Sequence, residues 1–338
     1  MRRFYRPGIL NIFKEVYLMP YSRYYRSKLT KYEKDIYDQL CTGLEHRETL
    51  IAVNHISSNR LSQIYSAILY DYPQYFYVDF YEHAIVYQGS KIFLKPIYTL
   101  NEETVKNLQL RIQHEITPIL KKMEGNSPAD VVRFAHDWLV ERCVYSEDSV
   151  YPKGSYNILG PFLCKSCVCS GYSLAFKYLL DIMRVRCMVV CGQSVHQDGK
   201  SGPHAWNLVI INGNSYHIDV TYSFKLDHNI YSRAYYLLST REILEDHIIS
   251  KDFPCPYCRL TGNFVKRVSG TIELMQYLQS AYKKGSTVTE VRLCTPIKPD
   301  QVMEMIQNHL SDADMNWFSH ISSYWSRNGN RVFTIRWK

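Results

Sequence analysis

No run of eighteen apolar residues occurs in the 338-residue chain, so no segment reads as a membrane-spanning helix. The N-terminus lacks the unbroken apolar core of a secretory signal, because Arg6, Pro7 and Lys14 interrupt it. These two absences predict a cytoplasmic protein. Cysteine is too sparse for a disulfide scaffold: ten in a chain of this length read as thiols, metal ligands or a nucleophile. No recognised nucleic-acid motif is present either. The formal net charge is +8, and residues 1–34 mix arginines and lysines with tyrosines. That stretch is expected to be a solvated basic arm packed on its own domain, with no nucleic-acid partner. What the chain does have is an ordinary globular apolar fraction of 46% and 29 tyrosines. The tyrosines favour amphipathic surfaces and peptide contact but specify no chemistry.

The informative stretch runs from Cys164 to Phe224. From Cys169 onward, Tyr172, Phe176, Leu179, Leu180 and Met183 recur at helical spacing. Cys169 would then open a helix. The dipole and free N–H groups there favour an anion, which promotes the thiolate and can hold an oxyanion. Further on, Asn212-Gly213 separates HAWNLVII from SYHIDVT, a strong hairpin signal. A two-residue loop makes Ile211 face Asn214, and counting back pairs His204 with Thr221 and Trp206 with Asp219. His204, Trp206, Asp219 and Thr221 then share one face, with His204 and Asp219 diagonal neighbours roughly 7 Å apart at most by Cβ. A thiol nucleophile needs a base, and the base needs a partner that fixes its tautomer. Cys169, His204 and Asp219 supply those three parts.

These strings resemble the transglutaminase-like superfamily of papain-like thiol enzymes, especially its small bacterial members. VCSGYSLAFKYLL stands where that family has its Cys helix, HAWN where it has the His strand, and YHIDVT where it has the Asp strand. VVRFAHDWLVERCVYSED before the Cys and YYLLSTREILEDH after the Asp add to the likeness, which covers about residues 128–250. The resemblance implies an α+β fold: a papain-like transglutaminase core, with the Cys-bearing helix packed on an antiparallel sheet. It implies acyl transfer on peptide or carboxamide bonds through a Cys169-His204-Asp219 triad, acting on a protein or peptide substrate. Small bacterial members tilt the expectation toward hydrolysis. Transglutaminase cross-linking and a non-catalytic peptide-binding module that keeps the fold stay open. No cofactor and no metal are expected at the site.

Four regions are expected: the arm 1–34, an α+β module at 35–124, the catalytic domain at 125–260 and a small α/β accessory unit at 261–338. Within them, helices are predicted at Tyr32–Leu44, Asn59–Tyr70, Asn101–Met123 and Ala129–Cys143. Further on, a strand is predicted at Tyr231–Leu238 and helices at Thr240–His247, Thr271–Lys283 and Lys298–Leu310. Strands are also predicted at 315–324 and 331–337. Tyr156 or Asn157 is a candidate to help an oxyanion. His136 and Trp138 are expected in the core. Cys164–Cys167 and Cys255–Cys258 form two Cys-x-x-Cys pairs, but the gap between them is far longer than in compact zinc modules, so free thiols are expected.

Overall fold

The computed structural model describes residues 20–196, 199–294, 304, 318–325 and 331–337. Most of the basic arm and the helix predicted at Lys298–Leu310 lie outside the described residues.

The chain is an α+β protein built around one buried helix, Cys169–Ile182. Periodicity predicts an apolar stripe. Instead, every residue from Ser170 to Ile182 is buried, and Cys169 alone in the helix is partly open. A helix buried all round sits between layers rather than on a surface. One side lies on a four-stranded antiparallel sheet with strand order 247–249, 187–195, 201–211, 214–218. Helix Pro128–Arg142 packs against it as well.

The hairpin forms as its turn predicts. Ile211 pairs with Asn214, and Asn212 and Gly213 take φ of 51° and 80°, the left-handed values that a two-residue turn needs. The ladder then stops at Asn207–Ile218, one residue short of Asp219. Asp219 donates its backbone N–H to the Tyr235 carbonyl instead, at 2.9 Å. The strand predicted at Tyr231–Leu238 shrinks to Ile230–Tyr231 for that reason: the following backbone is spent on Asp219, and on a single bridge from Leu238 to His217.

The helix predicted at Thr240–His247 ends at Ile243. Ser239 and Glu242 form a capping box that starts it, but His247 is drawn into a strand, His247–Ile249, along the edge of 187–195. Gly192 makes that approach possible. A Cβ there would lie 1.9 Å from the Ile248 carbonyl oxygen and 3.1 Å from the Trp206 ring.

The N-terminal region follows its periodicity closely. Helices Lys31–Glu45, Ser58–Asp71 and Glu102–Met123 start at Thr30, Ser57 and Asn101, whose side chains each accept a first-turn N–H. Strands Val78–Gln88 and Lys91–Tyr98 form a hairpin, with a bulge between Asp79 and His83. Residues from Tyr25 to Val265, with Val332, share one hydrophobic core. A second, smaller core forms between helix Thr271–Lys283 and a sheet ordered 266–268, 288–293, 331–337, 318–325. This sheet docks through Val332 and through polar contacts. Glu290 accepts from the Arg233 N–H and the Ser232 hydroxyl, both at 2.7 Å, and Arg292 reaches Glu245 at 3.1 Å.

Candidate active site

Three elements bring the sequence-selected side chains together. Cys169 is the first residue of its helix, and no side chain caps that end. The first-turn N–H groups are therefore not claimed by a side-chain cap. His204 comes from strand 201–211, and Asp219 from just past the end of 214–218. His204 Nε2 lies 2.7 Å from Asp219 Oδ2. The Cys169 thiol is within hydrogen-bond reach of the His204 ring. With Nε2 committed to the carboxylate, Nδ1 is the nitrogen left for the thiol.

The carboxylate is completely buried. Its other oxygen, Oδ1, accepts from the Thr221 backbone N–H at 2.9 Å. Burial disfavours the Asp219 charge, but the His204 charge and hydrogen bond, together with His247, hold the carboxyl well below its usual range. Burial also disfavours a charged His204. The Asp219 charge and hydrogen bond, helped by the thiol, outweigh it and push the ring up to about 10. The arrangement favours an imidazolium beside the sulfur, the state in which a thiol can ionise.

Aromatic rings hold the imidazole in place. Tyr222 stacks on His204 with centroids 5.0 Å apart, and Trp206 lies at 6.1 Å on the same strand face. Trp206 is fully buried and donates to His217 Nδ1 at 3.1 Å, so it excludes water from one side. On the open side, Tyr81 and Tyr145 are 53% and 62% exposed and electrostatically close to Cys169. The partly open sulfur thus has tyrosines among its neighbours.

Sequence reasoning misses His247. Its Nε2 lies 3.1 Å from Asp219 Oδ2, the same oxygen that His204 uses, and its Nδ1 lies 2.6 Å from Asp246 Oδ1. Three consecutive ionisable residues, Glu245-Asp246-His247, are the only signal, and a continued helix would have scattered them over different faces. The ligand atoms of His204, Asp219 and His247 lie within 4.8 Å of one another, close enough to share a divalent cation. The hydrogen bonds oppose that use: both Nε2 atoms face one carboxylate oxygen and so carry protons where a metal needs lone pairs. Among the described residues the two Cys-x-x-Cys pairs do not gather. The Cys164 sulfur faces the Ser149 hydroxyl, the free Cys167 thiol lies beside the free Cys143 thiol, and the Cys258 thiol points to the Pro256 carbonyl.

Asn157 is not free to hold an oxyanion. Its Nδ2 donates to the Phe76 and Lys153 carbonyls, and its Oδ1 accepts from the Leu159 N–H. Tyr156, by contrast, lies electrostatically close to Cys169.

A second His-centred chain looks catalytic and is not. His136 lies 2.9 Å from the Ser223 hydroxyl through Nε2, and 2.8 Å from Asp137 through Nδ1. However, Arg233 also reaches Nδ1, at 2.7 Å, and it can only donate. Ser223 spends its own proton on the Asp219 carbonyl, so Nε2–H is the donor to Ser223 and the ring cannot take the Ser223 proton. Burial pushes this ring down to about 4, which keeps it neutral. The Ser223 hydroxyl in turn donates to the Asp219 carbonyl at 3.1 Å. The chain braces the turn that carries Asp219.

No protein-family model matches the sequence, and no curated protein matches it. Solved structures with some similarity include a TGase, with a TM-score of 0.29, 16% identity, and 55% of this chain covering 54% of that one. The periplasmic domain of TgpA from Pseudomonas aeruginosa gives a TM-score of 0.26 and 16% identity over 39% of this chain and 55% of that one. Menin gives a TM-score of 0.28 and 12% identity over 76% and 53%. The chain thus spans about half the length of each of these structures. Superpositions at such scores do not establish a shared topology, so the chemistry stands on the site's own geometry.

Proposed function

We propose that the chain is a thiol enzyme that transfers acyl groups from peptide or carboxamide bonds, in the manner of the transglutaminase-like proteins its motifs resemble. One observation carries this reading: a partly open thiol at an uncapped helix end, within reach of an imidazole whose Nε2 is held by a buried carboxylate. The Cys169 thiolate attacks the carbonyl carbon. The oxyanion that forms turns toward the first-turn N–H groups. His204 passes its proton to the departing amine, the C–N bond breaks, and a thioester remains on Cys169. Water or a second amine then attacks the thioester and gives its proton to His204. The thiolate leaves, and the acid or a new amide is released. Asp219 keeps Nε2 protonated and Nδ1 aimed at the sulfur throughout.

The motif resemblance favours water as acceptor and a protein or peptide as substrate. All ten cysteines are free thiols, which suits a reducing compartment such as the cytoplasm. Among the described residues, no helix is long and apolar enough to cross a membrane.

Incubation with a peptide library, with and without a labelled primary amine, tests the reading. Cleaved or deamidated peptides support hydrolysis; incorporation of the label supports cross-linking. Either should vanish in Cys169→Ala while the fold persists. Turnover retained in that variant would refute the assignment.

A further inference from the structure

The Asp219 carboxylate is shared by two imidazoles, and the triad uses one of them. His247 is fully buried at its side chain and is flanked by carboxylates at both nitrogens. Both oxygens of each carboxylate already accept a hydrogen bond. Asp219 Oδ1 takes the Thr221 N–H while Oδ2 takes the two rings; Asp246 Oδ1 takes His247 and Oδ2 takes the Tyr235 hydroxyl. An ionised carboxylate offers no proton, so both ring nitrogens of His247 must donate. Between two ionised carboxylates this hydrogen-bond pattern makes His247 an imidazolium, and Asp219–His247–Asp246 a buried row of alternating charge.

We propose that His247 is a positioning residue for the Cys169 chemistry: a fixed buried cation that occupies part of Asp219, offsets its charge, and thereby sets how firmly Asp219 holds His204 and how readily the sulfur ionises. The inference rests on the thiol-enzyme reading above. The physical reason is simple. Asp219 has one unit of negative charge at close range to both His204 and the thiolate. Unshared, it would grip the His204 proton too tightly for donation to a leaving amine, and would repel the thiolate.

The groups around His247 are consistent with this role. Asp219 and Asp246 touch it directly. The rings of Trp206, His204, Tyr222 and Tyr235 surround it at 4.8, 5.3, 5.6 and 5.8 Å. His217, behind Trp206, is pushed down to about 3 by burial and by the charge of His247, and stays neutral. Glu245, next in the chain, is paired with Arg292 from the C-terminal sheet. No second cation touches Asp219 among the described residues, apart from His204 itself.

The test is the rate of Cys169 alkylation by iodoacetamide as a function of pH, mapped by mass spectrometry, which needs no substrate. His247→Gln keeps a donor toward Asp219 but removes the charge. The inflection of the alkylation profile should move up by about one pH unit. Asp246→Asn removes a negative charge while its carbonyl still accepts from Nδ1, and the inflection should move down. A merely structural role would change the amplitude in both variants without displacing the inflection in opposite directions, and that result overturns the proposal. If one variant fails to fold by circular dichroism, the direction in the other decides. If both unfold, the pair serves stability and the proposal falls. Wild-type Cys169 that is not selectively alkylated would instead sink the underlying Cys–His reading, so the two failures are distinguishable.

Discussion

Two buried charged clusters hang on the same helix, and they behave in opposite ways. One surrounds Lys177 and Asp181 in the helix's second half, and the other surrounds Cys169 at its start. Lys177 Nζ bonds Asp181 at 2.6 Å, the Ser22 carbonyl at 2.8 Å and the Cys187 carbonyl at 3.4 Å. Asp71, close by, accepts from the Tyr25 and Arg26 N–H groups and from the Tyr37 hydroxyl. Lys177, Asp181 and Asp71 are all buried, and all three are hydrogen-bonded. The cluster ties residues 22–26 and helix Ser58–Asp71 to the central helix. The Cys169 cluster has the same ingredients, but one ring nitrogen faces a sulfur that solvent can reach. Burial and shifted protonation are common to both. What separates structure from chemistry is an unspent valence at the end of a route from outside.

Several substitutions would break or sharpen that contrast. Lys177→Met leaves two carboxylates buried without a cation and should cost about 3–5 kcal/mol in urea unfolding. Cys169 labelling per folded molecule should stay unchanged; a fall in labelling would merge the two clusters into one functional unit. His204→Ala should do the reverse, slowing Cys169 alkylation at about pH 6 by about a hundredfold, since a free thiol is mostly protonated there. Labelling rates that remain equal to wild type would remove the base from the account.

The third test uses pH. Burial, with the Asp71 charge adding and Lys177 opposing, pushes Asp181 up to about 7. Its folded-state value is therefore above its unfolded one, near 4. The stability linked to that proton is fully present below about pH 4 and is lost as pH rises through about 7. Asp181→Asn lacks this titration, so the wild-type advantage over it in unfolding free energy should shrink across that window. A constant difference would contradict the assignment. The smallest effect is expected for Ser223→Ala, which removes the brace on the Asp219 turn. It should cost about 1 kcal/mol and change alkylation by about threefold at most. A loss comparable to His204→Ala would give Ser223 a direct part in the chemistry.

Much of this site was legible in the chain because its parts are local. Helical spacing after Cys169 and the Asn212-Gly213 turn are short-range signals, and both led to the observed elements, down to the Ile211–Asn214 pair. The helices predicted at Tyr32–Leu44, Asn59–Tyr70 and Asn101–Met123 were equally local. What was hidden depended on distant partners. Asp219 is aimed by the Tyr235 carbonyl, not by a continuing ladder. His247 reaches the site only because Gly192, 55 residues earlier, lets a third strand come close. Asn157 has an amide suited to an oxyanion, yet three backbone groups claim it. The all-round burial of the Cys169 helix follows from packing on several sides, which one helix's periodicity does not record.

The central claim is that Cys169 is a nucleophile able to hold an acyl group. Brief treatment with p-nitrophenyl acetate, followed by intact-mass measurement and peptide mapping, tests it most directly. The account predicts a rapid burst of nitrophenol and one acetyl group, located on Cys169 and absent in His204→Ala. Acetyl groups spread over surface lysines, with Cys169 unmodified, would contradict it.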